Sequence, residues 1–228
     1  MLRFVARPRN CGVVAVRSED KRGTELTRPE RLGILGGTFD PVHLGHLIIA
    51  EELKFRLDLD HVLFLPSRRP PHKTMQEISP NADRMTMLEL AIAGNPHFGI
   101  STVDMHREGL SFTSDSLAII RDEHPETDLF FLMGQDSLRD LPRWHEPNLI
   151  AERAHLGVAL RPGVEVDVEA ILRAVPAARG NLQMIPVPLI QISSREIRRR
   201  VYHGEPITYQ VPHAVEAHIR KVGLYVPQ

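Results

Sequence analysis

From Arg31 onward, short apolar runs alternate with longer segments in which apolar residues recur at helical spacing. That alternation is the pattern of βαβ units, in which parallel strands form a sheet and helices cover its faces. Residues 31–35 form a β-like run ending at Gly36-Gly37, after which Leu47, Ala50, Leu53 and Leu57 recur at helical spacing with Glu51, Glu52 and Lys54 between them. Residues 61–65 predict a second strand closed by Pro66, and 67–75 a basic, proline-rich loop. Ser79-Pro80 reads as an N-cap with proline at the first helical position, 85–93 as an apolar helix face and Gly94 as its stop. Further strands are expected at 100–103, 129–133, 156–160 and 184–192, and helices at 113–123, 136–141, 167–175, 194–202 and 211–222. The expected fold is a doubly wound, Rossmann-like open parallel sheet with helices on both faces. Such sheets bind ligands beyond the carboxyl ends of their strands, where the strand order reverses.

Composition narrows the picture without changing it. With 228 residues, 42% hydrophobic and 25% charged, the chain is neither disordered, collagen-like nor coiled-coil. The net charge of −1 provides no bulk field toward nucleic acid or an anionic membrane, so neither is expected as a partner, and any anion must be met by local groups. The balance is uneven: residues 1–31 carry eight Lys+Arg and four Asp+Glu, which leaves 20 against 25 for the rest. Residues 1–30 lack the apolar stretch of a secretory signal, and their acids argue against an organellar presequence. They read as a basic extension with little structure, or as lying upstream of a true start near Arg31. The second reading would need a non-Met start codon, since no Met occurs between Met1 and Met75. Residues 31–228 are expected to form one domain. The single cysteine, Cys11, excludes an internal disulfide framework and fits a cytoplasmic protein, and no apolar run nears the ~20 residues of a membrane span.

The sequence GGTFDPVHLGH, residues 36–46, stands where the first strand becomes the first helix. Adjacent glycines permit torsions and close approaches that side chains would block. Free backbone N–H groups and the positive end of the helix dipole then make a phosphate site without net positive charge. His43 and His46, three residues apart, share one face of the first turn, and Gly45 leaves room for a nucleotide. A plain glycine turn, a metal-binding histidine pair and an exposed histidine pair compete with this reading. The segment is neither G-x-G-x-x-G nor G-x-x-x-x-G-K-[ST].

Residues 36–46 resemble the opening motif of the H-x-G-H nucleotidyltransferases, and specifically of the bacterial nicotinate-nucleotide adenylyltransferase family, which transfers AMP from ATP to nicotinate mononucleotide. The likeness extends to about residue 225 through four further segments. In PPHK, residues 70–73, it implies Lys73 near the phosphates and the acceptor. In SFTSDSL, residues 111–117, it implies Thr113 near the nicotinate carboxylate, with Phe112 and Ser116 standing where the family has Tyr and Thr. In residues 131–147 it assigns Asp136 to the adenosine ribose, with clearance from Gly134, and Trp144, the only tryptophan, to stacking on the pyridine ring. In ISSREIR, residues 192–198, it implies Ile192, Ser193 and Ser194 at ATP and Arg198 at its outer phosphates, with Arg195 departing from the family's Thr. The first motif adds Gly36, Gly37, Thr38, Phe39 and Gly45 toward ATP and Asp40 toward nicotinate mononucleotide. His43, His46, Lys73 and Arg198 form the expected catalytic set. The implied reaction is direct in-line displacement aided by Mg²⁺ held mainly by ATP phosphates and water. Other acceptors (nicotinamide mononucleotide, phosphopantetheine, glycerol phosphate, flavin mononucleotide) and a non-catalytic nucleotide sensor are the alternatives. A tRNA-charging enzyme is excluded by length and by the lack of a basic surface. The oligomeric state, monomer or homodimer, is left open.

Overall fold

The computed structural model describes residues 30–69, 78–160, 163 and 165–227. Residues 1–29 of the expected extension, and Lys73 with the rest of its PPHK segment, lie outside the described residues. Six parallel strands, β1 (Arg31–Gly37), β2 (His61–Pro66), β3 (Phe98–Ile100), β4 (Asp128–Gly134), β5 (His155–Leu160) and β6 (Leu182–Pro186), pair in the order β3-β2-β1-β4-β5-β6. This is the doubly wound order of a Rossmann-like sheet, and it reverses between β1 and β4. The helices are α1 (Leu44–Arg56), α2 (Asn81–Ile92), α3 (Val103–His106), α4 (Thr113–Glu123), α5 (Gln135–Asp140), α6 (Pro147–Arg153), α7 (Val168–Ala174), α8 (Ser194–Tyr202) and α9 (His213–Val222). None of them is long and apolar enough to cross a membrane.

Strand periodicity divides the interior into two cores. Along β4, Phe130 and Leu132 join Leu53, Leu88, Ile197 and Ile219 on the side of α1, α2, α8 and α9. Leu129, Phe131 and Met133 join Leu117, Leu138, Ile150 and Ile171 on the side of α4, α5, α6 and α7. Alternate residues of a strand point to opposite faces, so a sheet buried on both sides reads as a continuous apolar run. Close packing at the centre excludes side chains at two glycines. A Cβ on Gly33 would come within 2.8 Å of Leu132 Cδ1, and one on Gly157 within 2.9 Å of Leu132 Cδ2.

Three expected elements move, each for a local reason. The third strand is Phe98–Ile100 rather than 100–103, because its register follows Val62–Phe64 of β2, and the chain then turns directly into α3. The run 184–192 is strand only to Pro186, on the edge where proline is tolerated; Val187 to Ile192 is irregular. Ser79 does not cap α2, whose N-cap is Pro80; the backbone N–H of Ser79 instead donates to Asp40 Oδ2 at 3.2 Å. Helix α6 was not expected, although Pro147 at its start and buried Ile150 and Ala151 carry its signal.

Leu132 is fully buried at the centre of the sheet. Leu132→Ala should lower the unfolding free energy by about 2–5 kcal/mol, read from urea denaturation with an unchanged slope.

Candidate active site

The reversal of strand order opens a cavity of about 860 Å³ between the carboxyl ends of β1 and β4. Gly36, Gly37, Thr38, His43, Gly45 and His46 line one side of it, Gly134 and Asp136 the other. Thr113, Trp144, Ile192, Ser193 and Ser194 also line it, so four segments far apart in sequence converge there. Phe39, Asp40 and Arg198 do not line it.

The turn before α1 is shaped by its own side chains. Phe39 adopts a left-handed backbone, φ 51°, and its buried ring packs edge-on against His46, with centroids 5.1 Å apart. A Cβ on Gly37 would lie 2.8 Å from that ring, which explains the second glycine without reference to any ligand. Gly45 likewise clears His43, since its Cβ would stand 3.0 Å from His43 Nδ1. At Gly134 the opposite holds: φ is −81° and an added Cβ would meet nothing within 4 Å. The missing side chain there widens the cavity and is not demanded by packing.

His43 and His46 stack with ring centroids 3.6 Å apart at 20°. The His43 backbone N–H donates to His46 Nδ1 at 3.2 Å, so a neutral His46 carries its proton on Nε2. Burial lowers the pKa of His43 to about 4, and burial with the neighbouring His43 pushes His46 well below the usual histidine value. Both rings are therefore neutral at pH 7. His43 Nδ1 is buried with no hydrogen-bond partner among the described residues. The pair offers neutral N–H donors at a helix N-terminus, a combination that suits phosphate oxygens better than a cation.

Asp40 takes a different place from the expected one at the acceptor. Its carboxylate is 2% exposed and is held by the Tyr225 hydroxyl, which donates to Oδ1 at 2.6 Å, and by the Ser79 N–H. Arg198 donates to the Asp40 carbonyl at 2.6 Å, with its guanidinium 4.0 Å from Oδ2. The Ser194 hydroxyl donates to the Pro41 carbonyl at 2.9 Å, while Ser193 Oγ caps α8 by accepting from the Glu196 N–H. Burial and the adjacent Asp40 raise the Tyr225 pKa, keeping its hydroxyl protonated as the donor.

Sequence reasoning missed three contributors. Arg84, fully buried, donates to the Thr38 carbonyl at 2.7 Å and to Asn81 Oδ1 at 2.5 Å, bracing the turn from behind. Its only sequence signal is a charged residue on the apolar face of α2. Asp104, also buried, accepts from the Ser116 hydroxyl and faces Arg107 at 3.6 Å; burial raises its pKa. The irregular stretch Val187 to Ile190 forms a further wall, hidden in sequence by its resemblance to a strand. As for metal ligands, Asp115, His145 and Glu146 gather within 4.8 Å of one another, but Asp115 already accepts from Arg107 at 2.6 Å. No group of three or more metal-ligating side chains stands beside the histidine pair among the described residues.

A doubly wound sheet with a histidine-bearing helix N-terminus at its switch point is an arrangement suited to nucleotide phosphates. The profile of the cytidylyltransferase-like family matches residues 34–200, and the chain belongs to that family. Within it, the chain belongs to the nicotinate-nucleotide adenylyltransferases. A curated relative from Thermomicrobium roseum, named "probable nicotinate-nucleotide adenylyltransferase", is 60% identical over 195 residues, covering 86% of this chain and 91% of that protein. Another of the same name from Moorella thermoacetica is 41% identical over 206 residues, covering 89% and 95%. Solved structures of Plasmodium falciparum nicotinic acid mononucleotide adenylyltransferase, complexed with APC and with NaAD, share the fold with TM-scores of 0.70 and 0.71. They are 20% and 21% identical to this chain and cover 86% of it and 97% of their own chains.

Two outcomes follow from this geometry. A histidine that stays neutral in the fold but protonates near pH 6.5 when unfolded binds fewer protons folded than unfolded. Stability contributed by His43 is therefore complete above pH 6.5 and is lost as the pH falls toward about 4, by up to roughly 3 kcal/mol. His43→Asn should flatten the fall in melting temperature between pH 7 and pH 4 relative to the wild type. Tyr225→Phe, which removes one donor from the buried Asp40 carboxylate, should cost about 1–3 kcal/mol in chemical denaturation.

Proposed function

We propose that this adenylyltransferase joins ATP and nicotinate mononucleotide by one in-line displacement, with the stacked, neutral His43 and His46 as the donors that carry catalysis. An oxygen of the acceptor's phosphate attacks the α-phosphorus of ATP. A new P–O bond forms as the bond from the α-phosphorus to the bridging oxygen breaks, and pyrophosphate departs with that electron pair. The products are deamido-NAD and pyrophosphate, and no protein nucleophile takes part.

Two polyanions must approach each other, so the task is to position them and to meet the charge that develops on the non-bridging oxygens. His46, with Nε2–H free, and His43 would donate to these oxygens together with the first N–H groups of α1. Neutral donors keep their hydrogen bonds without attracting a competing anion into the empty site. Asp136, in the first turn of α5 just beyond β4, suits the diol of the adenosine ribose, with Gly134 giving clearance, and the Gly36–Thr38 turn suits the triphosphate. Ser193 and Ser194 at the start of α8 would serve the outer phosphates. Arg198 lies behind the turn in the free enzyme, and its contribution to the pyrophosphate requires a rotamer that releases the Asp40 carbonyl. Trp144 and Thr113 would frame the pyridine ring. Lys73 keeps the role that family resemblance gives it. Mg²⁺ arriving with ATP would offset charge on the β- and γ-phosphates.

The observation carrying this reading is the histidine pair at the switch-point cavity. His43→Ala and His46→Ala should each lower kcat roughly 10²- to 10³-fold with smaller changes in KM, measured by pyrophosphate release with ATP, Mg²⁺ and nicotinate mononucleotide. Near-normal turnover in both variants would sink the assignment. Nicotinamide mononucleotide and phosphopantetheine, run as parallel acceptors, test the choice of substrate.

A further inference from the structure

Charge around the cavity is distributed unevenly. Among the described residues its wall includes two carboxylates, Asp104 and Asp136, and each already has a cation: Arg107 lies 3.6 Å from Asp104, and Arg139 lies 3.5 Å from Asp136. The histidine pair is neutral. Arg143 is the one guanidinium or ammonium group in that wall, and it has no hydrogen bond or ion pair among the described residues. It ends the short 3₁₀ turn Leu141–Arg143 immediately before Trp144, whose backbone N–H donates to the Leu141 carbonyl at 3.0 Å. Arg143 and Trp144 are thus carried by one turn, and the Trp144 ring packs edge-on against Phe131 with centroids 6.1 Å apart.

The acceptor has two anionic ends. Its phosphate must reach the histidine pair, because that is where the α-phosphorus is attacked. The other anion, the carboxylate on the pyridine ring, then falls at the Trp144 end of the cavity. Resting on the acceptor proposed above, we infer that Arg143 recognises this carboxylate and so selects the acid acceptor over its amide. A guanidinium fork matches a carboxylate in shape and charge, and it holds its charge throughout the physiological pH range. An amide in the same position gains no such attraction and leaves the cation unpaired. Backbone N–H groups near Thr113 can bond either acceptor's oxygen, whereas a fixed positive charge separates the two.

The test uses the full chain with ATP and Mg²⁺, comparing nicotinate and nicotinamide mononucleotides in the wild type, Arg143→Gln and Arg143→Lys. Because Arg143 is exposed and unpartnered, both variants should melt with the wild type, so any kinetic change belongs to the site. Arg143→Gln should lower kcat/KM for the acid roughly tenfold, chiefly through KM, while the amide's kcat/KM and the KM for ATP change by less than about twofold. Arg143→Lys should recover part of the loss, since it restores charge without the fork. An equal loss with both acceptors would place Arg143 on the phosphate and overturn the inference, as would no loss at all or a raised KM for ATP. Failure of the wild type to use nicotinate mononucleotide would instead overturn the acceptor assignment, before any variant is compared.

Discussion

One buried carboxylate ties the catalytic turn to the rest of the molecule. Asp40 is 2% exposed, and a charge taken that far from water must be met by donors on every side. The donors are the Tyr225 side chain beyond α9 and the backbone of Ser79 before α2, and the charge is further offset by the Arg198 guanidinium of α8, 4.0 Å away. Satisfying Asp40 therefore fixes where three helices stand relative to the glycine turn. Ser194 on Pro41 and Arg84 on Thr38 add two more anchors within a few residues. The loop that presents His43 and His46 is consequently held from behind by Ser79, Arg84, Arg198 and Tyr225, none of which lines the cavity, while Ser194 anchors it from the cavity wall.

The same arrangement resolves the electrostatic problem posed by a nearly neutral chain that handles two polyanions. Fixed cations are kept mostly out of the cavity wall: Arg84 and Arg198 are engaged with backbone carbonyls, and Arg107 and Arg139 with carboxylates. In the function proposed above, the described part of the wall would meet the phosphates chiefly with neutral imidazoles and helix dipoles.

Legibility in the sequence followed the range of the interactions. Helices α4 and α8 run over residues 113–123 and 194–202 as their sequences indicate, α8 with Ser193 as its cap. The glycine turn and the histidine pair were equally visible, because a left-handed Phe39, its clearance from Gly37 and the spacing of His43 and His46 are all decided within eleven residues. Edges were harder to read. β3 took its register from β2, and the 184–192 run broke at Pro186 because pairing with β5 ends there.

What the sequence by itself determined is the order of elements, the sheet-and-helix layering and the identity of the groups that can donate to phosphate, all of which rest on local chemistry. Tertiary structure alone decided how those groups are used. Asp40 and Arg198 are 158 positions apart, and only their meeting behind the turn shows that both brace the loop in the free protein. Burial made the two histidines neutral, and the neighbouring ion pairs left Arg143 as the unpaired cation of the cavity wall among the described residues. Desolvation and pairing are properties of surroundings assembled from the whole chain, so no stretch of sequence contains them.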